Sequence, residues 1–267
     1  MSVEIQWIDL DGAANVRDLG GLPAGGGATV RSGRLIRADN LQGLTDSDIE
    51  RLVVKHHVRA VADLRTQTEV DSEGPGPLSA DPRVTIEHLS LFPEAGDNTD
   101  VAATGSESGD GPVLLPWQKR ARRDRGSAST IYQRYLDDRP DSVVAALRLI
   151  ADTDGATIVH CVAGKDRTGV VVALALDSVG VDRSAIVDDY VRTGERMHEI
   201  LARLTASHTY AHDLQGVAFD QHLPRSTTME TFFATLDESH GGTPAWLRDH
   251  GWTDADEAAM REALLAE

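Results

Sequence analysis

The chain has 267 residues, 40% of them hydrophobic, a formal net charge of -17 and one cysteine. That length and apolar content support a substantial core, read as a single domain over 1–267, and the acidic balance excludes the basic face that nonspecific nucleic-acid binding needs. The lone cysteine excludes an intramolecular disulfide and a cysteine-rich zinc site; no run of about 18 apolar residues offers a membrane span, and the start MSVEIQWIDLDG lacks the pattern of a cleavable leader, which makes the cytoplasm the default location.

In chain order, Gly25-Gly26-Gly27 reads as a flexible turn, not a phosphate cradle, because no strand precedes it and no helix follows. Residues 28–38 read as a short hairpin, and 46–56 as a helix capped by Thr45 or Asp46, with Ile49, Leu52 and Val53 on one face. The apolar run 58–64 has strand length, 66–72 opens a short helix, and 84–89 alternates as a strand. Residues 93–127 differ from their surroundings: a Gly/Ser/Asp/Thr-rich half is followed by Lys119, Arg120, Arg122, Arg123 and Arg125. So long a connection is expected to be either a disordered insertion or a lid. Helices are expected over 128–137 and 141–152, then a buried strand over 156–160 and an apolar helix from Thr168 to about Val179. The rest reads as helical, with stops at Gly180, Gly216 and Gly241-Gly242. Strands interleaved with helices in the first 160 residues give an α/β sheet with a helical C-terminal part.

The densest chemistry is His160-Cys161-Val162-Ala163-Gly164-Lys165-Asp166-Arg167-Thr168-Gly169, between the strand and the apolar helix. A tight loop at a helix N-terminus aims successive backbone N–H groups, and the favourable end of the helix dipole, at the outer oxygens of a phosphate. On this reading Val162, Ala163, Gly164, Lys165, Asp166 and Arg167 bind the phosphate, with the arginine supplying a bidentate fork that lysine lacks. The glycines relieve the steric limits of close backbone approach. Cys161 sits at the centre of this bowl, whose field favours the thiolate, the nucleophilic form. His160 orients the loop from behind, and the Thr168 hydroxyl can donate to the sulfur.

The loop resembles the H-C-x-x-G-x-x-R-[S/T]-G signature of protein tyrosine and dual-specificity phosphatases. Asn15-Val16-Arg17-Asp18-Leu19-Gly20-Gly21, Gly33 to Ala38, Asp63-Leu64-Arg65-Thr66 with Glu69, and Trp246 to Gly251 are similar to the bacterial branch that includes secreted mycobacterial tyrosine phosphatases. The resemblance implies a phosphatase fold with a central sheet flanked by helices, and a helical lid over the site for the insertion at 93–127. It implies hydrolysis of phosphomonoesters through a cysteinyl-phosphate, with Cys161 as nucleophile, Arg167 as oxyanion clamp and no cofactor or metal. Phosphotyrosine proteins, and by extension phosphoserine or phosphothreonine proteins, are the expected partners, and secretion without a cleavable leader becomes an expectation beside the cytoplasm.

A general acid should protonate the departing oxygen. The eukaryotic Trp-Pro-Asp tripeptide is missing, so the candidates are Asp166, inside the loop, and Asp63, at the C-terminal end of a strand where ligands of open α/β sheets bind. Asp166 is preferred; Asp63 remains the rival, with a plain contact to Arg65 as its other reading. Lys165 is either a second cation, which by resemblance to the loop of phosphoinositide phosphatases would admit phosphoinositides, or a counter-charge to Asp166. His208 and His212 have the spacing of a helical metal pair, but neutral surface histidines are commoner. Two other classes stay open: a catalytically weak phosphate-binding module, and a rhodanese-type sulfurtransferase, which would not need the arginine followed by Thr-Gly. The sequence leaves the oligomeric state unknown.

Overall fold

The computed structural model describes residues 6–93, 127–214 and 216–266. The insertion expected over 93–127, with its basic run, therefore lies outside the described residues apart from its two ends. Six strands form one mixed sheet: β1 (Gln6–Trp7), β2 (Arg17–Asp18), β4 (Leu35–Ala38), β5 (Val58–Asp63), β6 (Thr85–His88) and β7 (Ala156–His160), in the order β1-β2-β4-β7-β5-β6. β4, β7, β5 and β6 run parallel; β1 and β2 extend the sheet antiparallel. β7 is buried along its whole length between β4 and β5, as the unbroken apolar run requires of a central parallel strand.

Successive side chains of these strands face opposite sides of the sheet and fill two cores. Ile36, Val61 and Ile158 pack with Leu52, Val53 and Leu78 on one side. Leu35, Ala62 and Val159 face the larger core on the other. That side carries α3 (Ala128–Asp138), α4 (Pro140–Asp152) and α5 (Asp166–Ser178). The Leu52 side begins with α1 (Asp46–Glu50), capped by Thr45 and running on into a wider turn over Arg51–Lys55. α2 (Gln67–Glu73) follows β5. The C-terminal part is helical: α6 (Arg183–Arg192), α7 (Met197–Ala206), α8 (Ala211–Leu214), α9 (Phe219–His222), α10 (Ser226–His240), α11 (Thr243–Asp249) and α12 (Asp254–Leu264).

The expected hairpin at 28–38 is not formed. β3 (Thr29–Val30) pairs instead with β8 (Leu265–Ala266) at the other end of the chain, while β4 joins the main sheet beside β2 and β7. Gly33, at φ +73°, turns the chain from one sheet to the other, so a pattern that looked like one hairpin serves two sheets. Among the described residues, the other expected helices and strands up to residue 179 fall where the pattern placed them, within a residue or two at most ends, and the helical reading of the rest holds except at β8.

Candidate active site

Parallel register brings Ala38, Asp63 and His160 side by side at the carboxyl edge of the sheet. The chain leaves β7 there through residues 161–165 and enters α5 at Asp166, so the loop sits at the N-terminus of a buried 13-residue helix. Gly164 holds φ +64°, and a Cβ on it would lie 2.4 Å from the Ala38 carbonyl oxygen. No other residue type fits that approach to β4.

Above the loop lies a cavity of about 450 Å³. Cys161, Val162, Ala163, Lys165, Asp166 and Arg167 line its floor and rim. Phe92 and the α3 residues Ile131, Tyr132 and Tyr135 form one wall; Met197, Ile200, Leu201 and Leu204 of α7, with Tyr210 and Leu214, form the other. The walls are thus mainly apolar and aromatic, with Arg134 of α3 and His222 as polar members, while Lys165, Asp166 and Arg167 lie at the floor and rim. Cys161 is buried at the bottom. Asp63, His160 and Thr168 are buried behind the loop and do not line the cavity.

Arg167 is held by the fully buried Glu69. Its Nη1 donates to Oε2 at 2.7 Å and its Nη2 to Oε1 at 3.0 Å, while Nη1 also reaches the Leu64 carbonyl at 3.1 Å. Burial alone would weaken this cation, but the charges of Glu69 and then Cys161 outweigh it and hold the guanidinium well above its usual range. Glu69 reaches this place because Thr66 and Glu69 close a capping box at the start of α2, the Thr66 N–H donating to Oε2 at 2.7 Å. The Phe92 ring lies 5.5 Å from the Arg167 guanidinium and covers it.

Asp63 is fully engaged. Arg65 donates to it from Nε at 2.9 Å and from Nη2 at 2.6 Å, and His160 Nε2 lies 3.4 Å away. Burial opposes its ionisation, but His160 and then Arg65 prevail and hold its carboxyl well below the usual carboxylate range. The His160 Nδ1 contacts the Cys161 carbonyl at 3.2 Å, so Asp63 and His160 brace the start of the loop. The Thr168 hydroxyl is buried without a hydrogen-bond partner among the described residues, and no bond to the Cys161 sulfur forms.

Asp166 sits at the rim with its side chain 38% exposed. Tyr132 donates to its Oδ1 at 2.5 Å, and Lys165 Nζ lies 3.7 Å from Oδ2. The Lys165 ammonium also donates to the His222 carbonyl at 2.9 Å, which ties the loop to the end of α9.

Behind the loop, two buried arginines flank one buried carboxylate. Arg17 Nε donates to Asp189 Oδ1 at 2.7 Å, and Arg37 Nη1 donates to Oδ2 at 2.5 Å. Arg37 Nη2 then reaches the Gly164 carbonyl at 2.6 Å, and the Asn15 amide, itself bonded to Arg17, donates to the Ala163 carbonyl at 3.0 Å. Burial depresses the Arg17 guanidinium, to about 10, and the Asp189 charge only partly compensates. These residues hold the loop carbonyls of Ala163 and Gly164 from behind.

Reading the sequence left out Tyr132, Tyr190, Tyr210 and Asp189, and gave Asn15, Arg17, Arg37 and Glu69 only as parts of motifs. For the motif residues the signal was present, because buried polar residues in Asn-Val-Arg-Asp and Asp-Leu-Arg-Thr need partners. For the tyrosines and Asp189 there was none, since each meets its partner across 34 to 172 positions.

The model of the tyrosine phosphatase family matches residues 8–266. The triple specificity protein phosphatase PtpB of Mycobacterium tuberculosis is 30% identical over 96% of this chain and 98% of its own length. A putative tyrosine-protein phosphatase of Cupriavidus necator is 29% identical over 96% and 87%, and a tyrosine-protein phosphatase of Nostoc commune is 31% identical over 63% and 51%.

Proposed function

The chain belongs to the tyrosine phosphatase family, and we propose that it hydrolyses phosphotyrosine through a cysteinyl-phosphate formed on Cys161. The observation that carries this reading is the meeting, on one cavity floor, of a buried cysteine, an arginine pre-aligned by Glu69 and the N-terminus of α5. The Cys161 sulfur attacks phosphorus as the ester P–O bond breaks. Arg167 and the loop N–H groups hold the three outer oxygens, whose charge they stabilise most in the transition state. Asp166, the one carboxyl lining the cavity among the described residues, gives its proton to the departing oxygen; its carboxylate then takes a proton from the water that cleaves the S–P bond. Asp63 acts as a positioning residue through His160, because its oxygens are already committed to Arg65 and His160.

Aromatic walls above an anion site suit a phosphorylated phenol ring. Shorter phosphoserine or phosphothreonine side chains reach the same floor with less contact. The name of the mycobacterial relative, triple specificity, supports a range wider than phosphotyrosine, and phosphoinositide turnover is a further reading. For this chain that activity depends on Lys165, whose ammonium must exchange the His222 carbonyl for a headgroup phosphate. The test is turnover of para-nitrophenyl phosphate, abolished by Cys161→Ser in protein that still melts like wild type. Persistent turnover in that variant overturns the reading and reopens the binding-module and sulfurtransferase classes.

A further inference from the structure

A general acid inside the phosphate loop presents a geometric problem. Asp166 occupies the first turn of α5, with a half-exposed side chain that has several rotamers available, yet the proton must be delivered to one oxygen of the substrate. Its Oδ1 is bound by the Tyr132 hydroxyl at 2.5 Å, a side chain from α3, which starts 33 residues before the loop. The Tyr132 ring is buried and wedged among Tyr135, Phe232 and Tyr190, with ring centroids 6.1, 6.1 and 6.4 Å away. The hydroxyl it presents is therefore fixed by packing, not by solvent.

The proton count assigns a direction to this contact. A phenol has one proton, and Tyr132 spends its own on Asp166. The Tyr190 hydroxyl, 2.8 Å from that of Tyr132, must then be the donor to it. The chain Tyr190 to Tyr132 to Asp166 is polarised toward the carboxyl. Burial, and then the Asp166 charge, push the Tyr132 phenol far above its usual range, so it keeps its proton as donor. Tyr190 comes close enough because Gly169 lacks a side chain: a Cβ there would lie 3.1 Å from the Tyr190 ring. The second glycine of the loop thus makes room for the tyrosine at the far end of the chain.

We infer that Tyr132, backed by Tyr190, is the positioning residue for proton transfer: it holds Oδ1 of Asp166 and so fixes the carboxyl, leaving Oδ2, 3.7 Å from the Lys165 ammonium, as the oxygen that exchanges the proton once that ammonium turns to the substrate. This rests on Asp166 being the acid. Tyr132 does the steering that a mobile acid-bearing loop would otherwise do.

The experiment compares kcat/KM on phenyl phosphate, whose leaving oxygen needs a proton, with para-nitrophenyl phosphate, whose leaving group departs without one. Tyr132→Phe keeps the ring and removes only the hydroxyl. It is expected to lower the phenyl phosphate value about tenfold more than the nitrophenyl value, a part of the ~100-fold or greater share of a positioned acid. Tyr190→Phe, which leaves Tyr132 in place, is expected to act in the same sense by about threefold. In an Asp166→Asn background, Tyr132→Phe should change the ratio no further. Equal loss on both substrates, or no loss, overturns the proposal. If Asp166→Asn itself leaves the ratio unchanged, the acid assignment falls first and takes this proposal with it; a changed ratio in Asp166→Asn but not in Tyr132→Phe refutes the tyrosine alone.

Discussion

Glu69 is the residue whose replacement most directly tests how the site is held. Its carboxylate accepts both terminal nitrogens of Arg167, the Thr66 N–H and, at 3.4 Å, the Tyr210 hydroxyl, and the side chain is wholly buried. Glu69→Ala leaves a buried cation without its partner, about 3–5 kcal/mol, and removes a helix cap, about 1 kcal/mol. Set against a total stability of about 5–15 kcal/mol, that loss unfolds much of the protein and says little about catalysis. Glu69→Gln is the informative change. The amide has the shape of the acid but only one acceptor oxygen, so one of its N–H donors must face a donor of Arg167 or Thr66. The cost is about 2–3 kcal/mol, typical of a lost hydrogen bond to a charged group. On the proposed mechanism the released arginine also loses the alignment it brings to the transition state. At about 1.4 kcal/mol per tenfold, kcat/KM on para-nitrophenyl phosphate should fall about 30- to 100-fold, with a lower urea midpoint. A Glu69→Gln variant within about threefold of wild type, with an unchanged midpoint, would refute the claim that this pair aligns the arginine.

The remaining expectations follow from the loop and its supports. Gly164→Ala places a methyl 2.4 Å from the Ala38 carbonyl at a φ of +64°; overpacking and the left-handed backbone cost about 2–4 kcal/mol together, and tungstate affinity by calorimetry should drop more than tenfold. Wild-type affinity in that variant would mean the loop does not need its approach to β4. Asp63, with its folded-state titration depressed, contributes stability that is fully present above its unfolded value of about 4 and is lost as pH falls below it. Asp63→Asn should therefore lower the urea midpoint at pH 7, and its gap to wild type should close in acid. A gap constant with pH would show that the carboxylate charge is not what His160 and Arg65 use.

Within the fold, local chemistry was legible wherever neighbouring residues decide the outcome. Thr66 and Glu69 lie three apart and close a capping box, Pro140 opens α4 at the position its missing N–H allows, and the apolar run at 156–160 became the central strand. The hairpin at 28–38 was misread because β3 meets β8 some 235 residues later, and nothing in the sequence of β3 distinguishes a near partner from a distant one.

The candidate site divides in the same way. By itself the sequence determined the loop: a cysteine, a glycine, an arginine and a helix start at fixed offsets leave few backbone paths, and the anion-binding chemistry proposed above rests on that path. Only the tertiary structure decided what surrounds it. It committed Asp63 to Arg65 and His160, tied Lys165 to the His222 carbonyl, and brought Asp189 between Arg17 and Arg37. It also set Tyr132 against Asp166. Each of these contacts satisfies a buried polar group, and which donor meets which acceptor depends on how helices pack over the sheet. Spacing along the chain carries that information for the loop, whose residues are neighbours, and not for partners that packing alone brings together.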